Sequence, residues 1–239
     1  EALAATPSIA EESRADALVG LAPHLSSELM AKALAAVREV GDAEGQSKAL
    51  AALAPHLPSR LMREALAASP SIGERKGRAN VLRTLAPYLS RDLLVVAATM
   101  MKEIDPSGEN SGVLVGIASR LAELGHLADG VSIVQGIHSE HRRVLALVDL
   151  KSSVSAAERE PLLERGMVEL REIEDPYYRS MASEALLPYL SMQGRSTVVG
   201  EMMSSIPQIP NVSQRLLASK ALVPYLQEEA RGALLEHIL

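Results

Sequence analysis

The chain has 239 residues, 47% of them hydrophobic, so it is no disordered tail and has apolar surface enough for one or two folded domains. A formal charge of −6, with no basic run interleaved with aromatics, argues against nucleic acid as a partner, and the absence of cysteine removes disulfides, thiolate nucleophiles and cysteine-based zinc sites. Phe and Trp are missing and Tyr occurs five times, which leaves Ala, Leu, Val, Ile and Met for the interior. No stretch joins β-branched residues to a two-residue alternation, so an all-α fold is expected. No apolar run approaches the ~18 residues of a membrane span, and no charged-then-apolar signal segment opens the sequence; no membrane partner and a cytoplasmic location are expected.

From the N-terminus, "EALAATPSIAEESRADAL" matches "EALAASPSIGERKGRANVL" from residue 64, so residue 1 is expected to fall inside the second helix of an earlier unit. "ALVGLAPHLS" (17–26), "ALAALAPHLP" (49–58) and "VLRTLAPYLS" (81–90) then recur, with Pro23, Pro55 and Pro87 at intervals of 32 residues. Before each proline a helical stripe is repeated: Arg14, Ala17, Leu18, Leu21; Gln46, Ala49, Leu50, Leu53; Arg78, Val81, Leu82, Leu85. Leu21, Leu53 and Leu85 are expected to be buried. Each proline is expected to end the first helix of a pair, because it lacks an N–H and disfavours α geometry at the residue before it. Second helices follow in 26–40, 59–68 and 91–104, started at Ser26, Pro58 and Ser90.

A fourth copy keeps the register without its proline: Asn110, Val113, Leu114, Ile117, Ser119, Leu121. "HRRVLALVDLK" reads as a degenerate fifth copy centred on Leu145 and Val148. Pro188 and Pro224 restore the pattern in the last two copies. Gly41-Asp42, Asp105-Pro106 and Asp175-Pro176 mark breaks between units, where aspartate caps a helix that begins with proline. The final "EEARGALLEHIL" is expected to stop part-way through another second helix. The expectation is one array over 1–239, an α-solenoid of about seven antiparallel helix pairs of 32–38 residues, of the HEAT or tetratricopeptide kind, cut from a larger multidomain protein.

"RADALVGLAPHL", "SKALAALAPHLP" and "DPYYRSMASEALLPYL" resemble the Ala- and Leu-rich helical-hairpin repeats of bacterial multidomain proteins that carry a STAND-type NTPase (NACHT or NB-ARC) or a protease effector. The resemblance implies a recognition or sensor array of a signalling or defence protein, with the NTPase or effector elsewhere in the full-length chain. No phosphate-binding Gly-x-x-x-x-Gly-Lys-Ser/Thr loop occurs in this sequence.

His24 and His56 stand where other copies have Tyr88, Arg120, Tyr189 and Tyr225, which fits residues covering the seam between units better than a ligand ladder. The polar ladder Arg14, Gln46, Arg78, Asn110, His141, Arg179, Arg215 sits near helix N-termini, where arginine opposes the dipole. An acidic partner is expected from Glu11, Asp42, Glu74, Glu103, Asp105, Glu172 or Asp175, the alternative being a row of anion-binding arginines. His138 and His141 lie three apart beside Glu140, a weak metal signal, so no metal and no cofactor is expected. Gly125, Gly130 and Gly136 interrupt the fourth unit's second helix, and Asp149 replaces an alanine. Repeat decay or function explains such a break. "LLVVAATMM" (93–101) and "TVVGEMMSSIPQIP" (197–210) are apolar nearly all round, either buried between helices or offering Met and Val to a partner.

No nucleophile with its base, carboxylate pair or phosphate loop can be assembled, so a non-enzymatic scaffold for a protein or peptide partner is expected. Its site is placed at His138, His141, Arg142 and Arg143, with Val95, Val96 and Met100. The alternatives are an enzyme on HEAT-like repeats, of the glycosylase or lyase type, and a structural spacer.

Overall fold

The computed structural model describes residues 11–40, 43–68, 75–105, 108–228 and 230–232. These are helical throughout, with no strand among them. They divide into two compact units, with the boundary between Ile133 and Val134.

The first unit holds α1 (Glu11–Leu21), α2 (Ser27–Arg38), α3 (Ala43–Leu53), α4 (Ser59–Ala68), α5 (Arg75–Leu85), α6 (Arg91–Ile104) and α7 (Ser111–Glu123). α1 packs on α3, α3 on α5 and α5 on α7, while α2 packs on α4 and α4 on α6. The odd-numbered row buries Leu18, Leu50, Leu82 and Leu114 at one register position and Leu53, Leu85 and Ile117 at another. Leu21, expected in the second set, is only half-buried, because α1 packs on α2 and α3 and has no described helix on its other side.

The repeated prolines work as corners. Each of α1, α3 and α5 runs straight into a 3-10 turn, Ala22–His24, Ala54–His56 and Ala86–Tyr88, with proline at the centre. Proline's fixed φ suits the tighter turn, and its missing N–H prevents the α ladder from continuing. The next leucine is extended (ψ 133, 125 and 143 at Leu25, Leu57 and Leu89) and turns the chain into the second helix. There Ser26 caps α2, its hydroxyl accepting from the Leu29 N–H at 3.4 Å.

Where the fourth copy lacks its proline, α7 ends differently. The His126 N–H donates to Leu121 O (2.8 Å) and the Gly125 N–H to Ala122 O (2.9 Å), with Gly125 at φ 82. This paired closure needs a left-handed residue, which only glycine adopts without strain. Gly125 therefore ends a first helix; it does not interrupt a second one. Gly130 sits buried inside α8 (Leu127–Gln135), where a Cβ would stand 2.7 Å from the Ala118 carbonyl oxygen. The glycines at 125 and 130 thus close one helix and let the next approach its backbone. The Asp105-Pro106 break also differs from expectation. Asp105 accepts hydrogen bonds from the Asn110 N–H and Nδ2, and α7 starts at Ser111. Pro106 and the Gly41-Asp42 break lie outside the described residues.

The second unit contains α9 (Glu140–Leu150), α10 (Ala156–Glu172), α11 (Pro176–Leu186), α12 (Met192–Ser205) and α13 (Val212–Leu222). α9 packs on α10 and α11, and α11 packs on α10, α12 and α13. Val144, Leu170, Leu186, Val198, Met202, Ile206 and Leu222 form its core. Asp175 caps α11 as expected, accepting from the Tyr177 and Tyr178 N–H groups at 2.9 and 3.1 Å.

Two substitutions test this packing in denaturant titrations. Leu53→Ala should cost about 2–5 kcal/mol, as for a leucine fully removed from water. Gly130→Ala should lower the midpoint, although alanine's helix propensity alone would raise stability by about 1 kcal/mol, because the new methyl meets the Ala118 carbonyl.

Candidate functional site

The polar ladder resolves into a recurring backbone clamp. Gln46 Nε2 donates to Val40 O (2.8 Å), Arg179 Nε to Ile173 O (2.6 Å) and Arg215 Nη1 to Ile209 O (2.9 Å), each reaching back six residues. Val40, Ile173 and Ile209 are buried, and each closely follows the end of a helix or its closing 3-10 turn, beyond which a carbonyl has no partner within that helix. The expected acidic partners are therefore replaced, in these three, by a carbonyl at the negative end of the preceding helix. That environment suits a guanidinium that would oppose the dipole of its own helix. The side chain of Arg14 lies outside the described residues.

The same relation corrects the fifth copy. Arg143 Nη1 donates to Ile137 O (3.0 Å) and, more weakly, to His138 O (3.3 Å), so Arg143 and not His141 is its ladder member. The core stripe moves with it, to Ala146, Leu147 and Leu150, all buried; of the two residues on which the copy was centred, Val148 is buried and Leu145 half-exposed. Ser152 occupies the centre of the 3-10 turn Lys151–Ser153, where Pro188 stands in Leu187–Tyr189. The register is thus two residues later than the leucine pattern suggested. The signal was in the sequence: a buried Val or Ile precedes each clamp by six residues at Val40, Ile137, Ile173 and Ile209, and Ile72 stands six before Arg78.

The expected site residues fall into both units. Val95 and Val96 project from the middle of α6 at 43% and 48% exposure, between the buried pairs Leu93-Leu94 and Ala97-Ala98. Met100, half-buried, lines a small cleft of ≈220 Å³ with Arg75, Arg78, Glu103 and Ile104. In the second unit His138 is exposed and Arg142 half-buried. Arg143 is committed inside the fold: besides its carbonyl bonds, its Nε lies 2.8 Å from Glu169 Oε2, with both side chains only 18% exposed. That pair joins α9 to α10.

His141 Nδ1 lies 2.9 Å from Ser139 Oγ, and its ring stacks on Tyr178 at 4.4 Å between centroids. Burial pushes the imidazole below the ordinary histidine range and Arg142 pushes the same way, against weaker opposition from Glu140 and Asp175. No group of three His, Asp or Glu positioned for a metal occurs among the described residues. His24, His56, Tyr88 and Tyr189 are exposed at their corners, and Lys151 Nζ sits 4.0 Å over the Tyr189 ring.

A larger groove, of ≈670 Å³, runs between α11 and α13, lined by Tyr177, Met181, Glu184, Leu217, Lys220 and Tyr225 among others. Its residues pair at an offset of 36, Met181 with Leu217 and Glu184 with Lys220, a period that the earlier 32-residue interval conceals. Another groove, of ≈400 Å³, lies at the first unit's corners between Tyr88, Arg91 and His126. There Arg91 Nε bonds Asp129 Oδ2 at 2.7 Å and holds that carboxyl below its usual range.

The chain is an all-helical protein, and no described helix is long and apolar enough to cross a membrane. No family model matches the sequence, and no curated protein or solved structure matches it either.

Removing one clamp, Arg179→Ala, should cost about 1.5–3 kcal/mol, the range for a hydrogen bond with a charged donor. Arg179→Gln should recover part of it, since Gln46 makes the same bond. His141 yields a pH dependence. A histidine whose folded pKa is depressed adds stability above its ordinary value near 6.5, lost as pH falls below that value, because only the unfolded chain gains the proton. Stability should therefore decline on acidification below about pH 6.5, and His141→Gln should flatten that decline in chemical denaturation measured across the range.

Proposed function

We propose that the chain is an α-solenoid of about seven antiparallel helix-pair repeats and that it works as a non-enzymatic interaction scaffold for a protein or peptide partner. Three features support the solenoid: helices pack on those one or two places along the chain, the corners recur, and so do the carbonyl clamps. The observation that carries the function is the outward face of α6. Val95 and Val96 lie outside the buried core and expose two consecutive β-branched side chains on a regular helix. Met100 extends this surface, and His138, His141 and Arg142 supply polar and basic contacts in the second unit. Arg143 serves the fold.

The alanine- and leucine-rich hairpins lead us to place the array in the cytoplasm, as the recognition or sensor part of a bacterial signalling or defence protein. An NTPase or effector domain would then sit elsewhere in the full-length chain.

The experiment uses the partner recovered with the intact array. Val95→Asp with Val96→Asp, and separately Arg142→Glu, should each weaken that complex by about tenfold or more in a titration while leaving the thermal midpoint nearly unchanged. Undiminished binding in both variants would remove these residues from the interaction.

A further inference from the structure

We infer that the groove between α11 and α13 is a self-association surface, filled by the same groove of a second copy of this chain about a two-fold axis. The inference goes beyond the α6 surface and uses none of its residues.

The groove carries apolar side chains that the fold leaves uncovered. Met181 is 37% exposed and Leu217 57%, and the aromatic residues Tyr177 and Tyr225 border them. Contiguous apolar surface of this kind marks an interaction site more often than isolated exposed leucines do.

The charges identify the occupant. Glu184 on α11 and Lys220 on α13 are both exposed and both line the groove, one repeat apart. Among the described residues neither forms an ion pair. In the first unit an acid and a base one repeat apart, at another position of the repeat, close within the chain: Asp16 on α1 and Lys48 on α3 meet at 2.6 Å. In the second unit the acid and the base stay open on opposite walls.

Such a surface is its own complement. A two-fold axis along the groove exchanges its two walls. It sets Glu184 of one copy against Lys220 of the second, Lys220 against Glu184, and Met181 against Leu217 in both directions. An isologous interface requires this reciprocity, in which residue i meets j and j meets i. A peptide has no reason to carry the same acid and base in matching order. The apolar contacts hold the two copies together, while the two ion pairs fix their register.

Sedimentation equilibrium of the whole chain over a hundredfold concentration range tests the inference. A reversible monomer–dimer equilibrium that weakens with salt is expected. Glu184→Lys and Lys220→Glu should each weaken it by about tenfold or more, because like charges then face each other twice. Mixing these two single variants should restore a heterodimer close to wild-type affinity, since a copy with lysine at both positions meets a copy with glutamate at both, and only opposite charges face each other. Leu217→Asp should abolish the dimer. Both charged side chains are exposed, so the variants should keep the wild-type thermal midpoint; should either unfold, the neutral pair Glu184→Gln and Lys220→Gln serves as the weakened form. A monomer at every concentration, single reversals without effect, or a mixture that fails to restore the dimer would each overturn the inference. None of these outcomes bears on partner binding by Val95 and Val96.

Discussion

A backbone carbonyl left over at the end of a helix organises this protein. After α2, α10 and the turn closing α12, a buried Val or Ile has its carbonyl in an interior where an unpaired acceptor costs about 1–3 kcal/mol. A long polar side chain six residues later, in the next helix, supplies the donor. One bond thereby satisfies the acceptor, fixes the connection between consecutive helices and positions the apolar stripe of the helix that follows. The fifth copy has the same device, with Arg143 on Ile137 O and Glu169 holding the guanidinium from the other side. Only in the fourth copy does a shorter residue stand at this place. There Asn110 bonds Asp105 instead, and the following helix, α7, closes on Gly125 without the 3-10 corner that ends α1, α3, α5, α9, α11 and α13.

The two units use the device differently. In the first, corners recur every 32 residues, and in the second every 36, at Ser152, Pro188 and Pro224. The longer repeat of the second unit brings an additional clamp on its second helix. Arg159 Nε donates to Lys151 O and Arg195 Nε to Leu187 O, both at 3.1 Å and both reaching back eight residues onto the carbonyl that opens the 3-10 turn. The corresponding positions of the first unit, Met30, Met62 and Leu94, are buried and apolar. Polar clamping and apolar packing are thus two solutions at one structural position. The change between them coincides with the change of period.

Exposed apolar side chains fall where these devices leave a helix face free. On α6 the buried Leu and Ala residues occupy the inner stripe, so Val95 and Val96 are left on the outer one. Between α11 and α13 the clamps hold the helices by their ends, and the middle of the groove shows Met181 and Leu217 flanked by opposite charges. Clamped ends leave the apolar middle of each helix face already ordered, so covering it would cost little further conformational entropy.

The sequence by itself determined the all-helical class and the corners that carry a proline, with helix starts such as Ser26 and Asp175, because these follow from local properties: apolar periodicity, proline's fixed φ and missing N–H, and serine or aspartate at helix starts. It located Leu53 and Leu85 in the core for the same reason, though not Leu21, which is half-buried. What the ladder residues touch was decided only in three dimensions. A guanidinium next to a helix N-terminus reads as seeking a carboxylate until the preceding helix places its carbonyl within reach. The register of the fifth copy could not be read from "HRRVLALVDLK" by itself, whose apolar residues fall on several stripes, with Val144, Ala146, Leu147, Val148 and Leu150 all buried; only the spacing of Ile137 and Arg143 carried it, and the folded clamp gave that spacing its meaning. Gly125 and Gly130 read as interruptions along the chain; the folded backbone uses one to close α7 and the other to admit a neighbouring carbonyl, a distinction set by proximity across helices rather than by order along the sequence.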